Sequence, residues 1–90
     1  MLKIVPSNRF KKDLKLAVAR GYKIELLEEI VNKLAAGTAL EPKYRDHALS
    51  GDWKGMRECH ITPDWLLVYQ IFEDELILYL SRTGTHSDLF

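Results

Sequence analysis

The sequence predicts an α+β domain of order β-α-α-β-β-β, with two N-terminal helices packed on one face of a twisted, mainly antiparallel four-stranded sheet. Three observations lead there. A short β-type run opens the chain, and two stretches with apolar residues at helical spacing follow it. The second half holds three apolar runs of strand length. Turns of two or three residues separate those runs, and turns that short join antiparallel neighbours.

"MLKIV" is the opening strand, closed by Pro6. "SNRFKKDLKLAVARGY" then starts on a Ser/Asn cap, places Phe10, Leu14 and Ala17/Val18 on one helical face, and stops at Gly21. A second helix from about Lys23 aligns Ile24, Leu27, Ile30/Val31 and Leu34, and Gly37 ends it. Across Gly21 the two helices are expected to pair antiparallel. "TALEPKYRDHALSGD" (38–52) shows no periodicity and reads as a connector long enough to be functional. "WKGMRECHI", "DWLLVYQIF" and "ELILYLSRT" are the meander strands, turning at Thr62-Pro63-Asp64 and Glu73-Asp74. In the first of these, alternation sends Cys59 and Ile61 to the core and Glu58 and His60 to the face left open for water or a ligand.

All 90 residues form a single domain (1–90), and at this size the core must use its apolar residues well. No apolar run approaches the roughly 18 residues that a membrane span needs. No signal peptide is legible in "MLKIVPSNRFKKD", and the one cysteine, Cys59, has no partner for a disulfide, so a cytoplasmic location is expected. Net charge is zero but unevenly distributed: residues 1–23 hold seven basic side chains against Asp13, a balance of +6 that the remainder cancels. A basic first third suits phosphate as well as it suits a solvated helix face.

The residues able to do chemistry gather near the Thr62-Pro63 turn. In a hairpin turning there, His60 stands opposite Trp65 and Asp64 lies within reach of His60. A carboxylate beside an imidazole fixes its tautomer and suits it to proton transfer. Turn duty for Asp64 and partial burial for Trp65 are the plainer readings of those two residues. His47 in the connector and His86 in the tail also fall where loops meet one end of the sheet, and Lys54 and Arg82 supply positive charge for a phosphate diester. The histidines are spaced by 13 and 26 residues, with no H-x-x-x-H or C-x-x-C element, so no metal and no cofactor is expected.

The series "RDHALSGDWKGMRECHITPDWLLVYQI" and "SRTGTHSDLF" resembles the YafQ branch of the RelE/ParE toxin superfamily, ribosome-dependent mRNA endonucleases of bacterial type II toxin-antitoxin systems. The resemblance spans the chain and is densest from Asp46 to Phe90. It implies a RelE-like fold and metal-independent cleavage of mRNA in the ribosomal A site, through a 2′,3′-cyclic phosphate. It implies catalytic roles for His47, His60, Asp64, His86 and Arg82, with His86 the favoured general acid and His60 or His47 the base or phosphate-orienting group. Substrate contacts are implied for Trp65 and Phe90, and expected for Lys54. Relatives often carry Asp where this chain has Glu58, which leaves the role of Glu58 open. The implied partners are a cognate antitoxin and the ribosome with its message, with operator DNA met only through the antitoxin complex. A different class of function, a non-nuclease inhibitor binding DNA gyrase as in the ParE branch, fits the fold but leaves three exposed histidines unused. So does a plain binding module.

Overall fold

The structure, a computed structural model, describes residues 1–90. Five strands form one sheet: β1 (Lys3–Pro6), β2 (His47–Ala48), β3 (Arg57–Thr62), β4 (Trp65–Phe72) and β5 (Ile77–Gly84), in spatial order β1-β5-β4-β3-β2. β1 runs parallel to β5 and all other pairs are antiparallel, with β4 central. The expected fold class holds, with a fifth strand added at the edge. β2 has only two residues, too few to show a period in sequence.

Two helices, α1 (Asn8–Ala19) and α2 (Ile24–Ala35), cover one face. Ser7 caps α1, accepting from the Phe10 amide at 2.9 Å and donating its hydroxyl to the Ser81 carbonyl at 2.7 Å, so the helix start is fastened to β5. Gly21 and Gly37, with φ of 79° and 78°, end the two helices in left-handed backbone. Phe10 and Ala17 of α1 and Leu27, Ile30, Val31, Leu34 and Ala35 of α2 bury against Cys59, Ile61, Trp65, Leu67, Tyr69, Leu78 and Leu80. α1 lies mainly on β5 and α2 on β3, so each helix leans on the sheet more than on the other helix.

The opposite face is partly roofed. A third helix, α3 (His86–Leu89), drops Leu89 onto Leu66 and Val68, with Leu49, Trp53 and Met56 around them. Two bulges decide which side chains reach this face. Ile61 is the extra residue between β3 and β4, so His60 pairs with Leu66 and Thr62 with Trp65. That register is one residue from the expected one, and because strand side chains alternate, the slip turns Trp65 into the core and Leu66 outward. In β5, Ser81 is the extra residue: Leu80 pairs with Tyr69 and Arg82 with Val68. Without that bulge Arg82 would share the core face of Leu78 and Leu80; with it Arg82 turns to the open face.

Candidate active site

Cross-strand pairing lays His47, Glu58, Val68 and Arg82 in one row across β2, β3, β4 and β5 on the open face. His60 and Leu66 form the next row. Glu58 stands between two imidazoles: the Nε2 atoms of His47 and His60 each lie 3.7 Å from Glu58 Oε1. The other ring nitrogens face carbonyls, His47 Nδ1 at 2.7 Å from Arg45 O and His60 Nδ1 at 3.3 Å from Pro63 O. A carbonyl only accepts, so Nδ1 carries the hydrogen in both rings and Nε2 is the nitrogen that exchanges a proton beside Glu58. Glu58 is 6% exposed and forms no hydrogen bond, yet no buried side-chain oxygen in the protein lacks a partner, so its carboxylate still reaches solvent. Two proton-exchanging nitrogens and a water-accessible carboxylate thus meet at one point.

His86 opens α3 on the same face, exposed, with its ring 5.2 Å from that of Phe90, which in turn lies 5.1 Å from Trp53. Leu89 rests on Leu66 and Val68, the β4 partners of His60 and Glu58, so α3 lies over the strand next to the one that carries the Glu58 cluster. One turn of helix cannot hold itself in place. Thr85 and Asp88 form a reciprocal capping box, and Arg20, at the end of α1, clamps Asp88 through Nη1–Oδ2 at 2.6 Å and Nη2–Oδ1 at 3.2 Å. Arg20 holds the Asp88 carboxyl well below the usual carboxylate range, helped by the Thr85 amide. A depressed folded pKa means that the anchoring is complete above the unfolded value of about 3.9 and fades as pH falls below it. The anchoring of α3 between pH 5 and 8 is therefore expected to be independent of this clamp's ionisation. Asp88→Asn should lower activity by up to about a hundred-fold by loosening His86, and NMR order parameters for residues 85–90 would register the loosening.

The remaining expected site residues are placed less simply. Arg82 spends Nε and Nη2 on Asp13, at 2.7 and 3.2 Å, and the Thr83 amide donates to the same carboxylate at 3.2 Å. Asp13 holds Arg82 firmly charged, so only its Nη1 side remains for a phosphate. Asp64 does not meet His60: it is exposed on the helix side of the turn, beside Tyr22, Lys23 and Leu26, and the carboxylate neighbouring His60 is Glu58. Trp65 cannot stack on a base from the open face, because its ring is 2% exposed and packs against Tyr22 in the core, its Nε1 donating to Thr83 Oγ1 at 2.8 Å. That hydroxyl passes the chain on to the Leu66 carbonyl at 2.7 Å. Lys54 is exposed after the 51–53 turn, and Phe90 is 47% exposed. No three His, Cys, Asp or Glu side chains are grouped to hold a metal ion.

A support behind the sheet escaped the sequence reading. Asp46, one residue before His47, accepts from the Tyr69 hydroxyl and from Arg57 Nε and Nη2 at 3.4 and 3.2 Å. Arg57 directly precedes Glu58, so this tie binds β2 to β3 at the point where His47 meets Glu58. Burial, aided by the Asp46 charge, pushes the Tyr69 phenol far above its ordinary value and keeps it a donor. Tyr69→Phe should cost about 1.5–3 kcal/mol, the worth of a hydrogen bond to a charged group, seen as a lower urea midpoint. Cys59, fully buried, has its thiol pushed up to about 12, mainly by burial. It should resist iodoacetamide at pH 8 until the chain unfolds.

A family model described as the bacterial toxin of type II toxin-antitoxin system, YafQ, matches residues 2–90. Among curated proteins, the mRNA interferase toxin YafQ of Escherichia coli K12 is 40% identical over 85 residues, covering 93% of this chain and 90% of that one. The metal-bound crystal structure of a toxin from Helicobacter pylori superposes with a TM-score of 0.95 at 51% identity, over the whole of both chains. YafQ in the crystal structure of the E. coli DinJ-YafQ complex superposes with a TM-score of 0.91 at 37% identity, covering 100% of this chain and 99% of that one.

Proposed function

The chain belongs to the YafQ family of toxins of bacterial type II toxin-antitoxin systems, and from that membership we propose that it is a ribosome-dependent endoribonuclease that cuts mRNA in the A site and so stops translation. The observation that carries this reading is Glu58 flanked by two Nε2 atoms on the open face, the face on which α3 carries the exposed His86. In the proposed reaction Glu58 accepts the proton of a 2′-hydroxyl as that oxygen attacks the adjacent phosphorus. His47 and His60, in their protonated form, offer Nε2–H to the phosphate oxygens, where negative charge grows. His86 protonates the departing 5′-oxygen, leaving a 2′,3′-cyclic phosphate and a 5′-hydroxyl. Arg82, through Nη1, and Lys54 add positive charge along the strand, and Phe90 gives a base a surface to stack on. Asp64, on the other side of the turn, is assigned to the turn rather than to proton transfer.

Every step uses side chains of the chain itself. The H. pylori relative was solved with metal bound, and persistence of cleavage after chelation, with ribosomal magnesium restored, is the check on a metal-independent step.

Six cations of the first 23 residues, Lys3, Arg9, Lys11, Lys12, Lys15 and Lys23, are exposed and have no acidic partner. They suit ribosomal RNA, with the message on the open face. Lys11→Glu/Lys15→Glu should weaken ribosome binding and flatten its salt dependence, as measured by co-sedimentation at two salt concentrations. The proposed restraining partner is a cognate antitoxin, by analogy with the E. coli DinJ-YafQ toxin-antitoxin complex, and operator DNA would be met only through such a complex. The place of action is the cytoplasm, where translating ribosomes are, and no helix is long and apolar enough to cross a membrane. The test is expression: the wild type should arrest growth and translation, and co-expressed antitoxin should relieve the arrest.

A further inference from the structure

Beside the Glu58 cluster lies a cavity of about 480 Å³ that the mechanism above does not use, between α2, the Pro42–Tyr44 turn and the end of β3. Its size falls within the range of small-molecule clefts. His60 stands in its wall, so the cavity and the cluster share a residue. A second link runs through Arg45, which lines the cavity while its carbonyl faces His47 Nδ1 at 2.7 Å. The lining combines an apolar floor, Ile30 and Ile61, with Tyr44, two cations, Lys43 and Arg45, and one carboxylate, Glu29. Tyr44 is half-buried, and Lys43 Nζ lies 5.0 Å from its ring centroid.

We infer that this cavity receives the nucleotide next to the scissile phosphate on the His60 side, an assignment that rests on the nuclease reading for the identity of the ligand. Each chemical part of a nucleotide has a counterpart there. An aromatic ring takes the face of a base, worth a sizeable factor in affinity whatever the base. Lys43 and Arg45 meet a phosphate, and Glu29 accepts from an exocyclic amino group, which gives the cavity a means of preferring one base over another. An acidic peptide would find no use for the aromatic ring and would meet Glu29 as a like charge.

Uncleavable 2′-O-methyl hexanucleotides, one for each base, are the probe. Amide shifts of the full chain should move at Leu26, Lys43–Arg45 and Ile61–Thr62, most with one of the four bases. Tyr44→Leu and Arg45→Asn should each weaken binding about ten-fold. Arg45 has φ 50°, and asparagine tolerates that left-handed backbone, so the second variant removes the charge without disturbing the turn that holds His47. Glu75→Ala, at the far end of the sheet, should bind as the wild type does. Unchanged affinity in both variants, or shifts confined to α1 and the open face, overturns the assignment. So does a response of these amides to the antitoxin with none to RNA. Binding here by a wild type that cuts no ribosome-bound message would sink the nuclease reading and leave a nucleotide site. Cutting at unchanged positions and rates in Tyr44→Leu and Arg45→Asn would do the reverse.

Discussion

Replacing Glu58 with glutamine is expected to slow cleavage of ribosome-bound message by about 10²–10⁴-fold, the range for losing a positioned general base. The melting temperature should hold or rise slightly. Burying a carboxylate carries a desolvation cost, and Glu58 is almost buried, accepts no hydrogen bond and has only the Nε2 atoms of His47 and His60, at 3.7 Å, within ion-pair reach. Glutamine keeps the shape and removes that cost along with the base. Single-turnover rates and thermal melts on the same preparation separate the two effects. A Glu58→Gln protein that cleaves at the wild-type rate would move the base elsewhere, with the exposed His47 next in line.

The second large effect belongs to His86. His86→Ala should relieve growth arrest on expression and lower cleavage by about 10²–10⁴-fold. Its effect on stability should stay within about 0.5 kcal/mol, as for most exposed positions. α3 is held by Leu89 in the Leu66–Val68 cluster and by Asp88 on Arg20, neither of which involves the imidazole. Loss of toxicity with an unchanged melt therefore assigns His86 to the reaction. Full toxicity in His86→Ala would leave proton donation to another group or to water.

Both residues were named from the sequence, His86 as the favoured general acid and Glu58 with its role left open. Helical spacing gave α1 and α2, and three strand-length runs gave β3, β4 and β5, because period is carried by many residues at once. β2 was missed because two residues carry no period. The Thr62-Pro63 turn was placed one residue off, since nothing in "HITPDW" announces the bulge at Ile61. A slip of one residue exchanges faces, and from it came the two misplaced side chains: Trp65, which lies in the core, and Asp64, which lies away from His60. Glu58, left open in sequence, gained its place from β2, which brings His47 to its other side. The tie of Asp46 to Arg57 and Tyr69 joins residues 11 and 23 apart, a pairing that exists only once the strands are in register. Arg82 was legible as a cation, whereas its commitment to Asp13 on α1 was not.

The central claim is that this open face cuts message on the ribosome by proton transfer through Glu58 and His86. Primer extension on ribosomes programmed with one defined message, with chemical analysis of the new ends, tests it most directly. The account predicts a cut within the A-site codon that leaves a 2′,3′-cyclic phosphate and a 5′-hydroxyl, present with the wild type and lost in Glu58→Gln and His86→Ala. No cut with the wild type, or cutting at full rate in both variants, would contradict it.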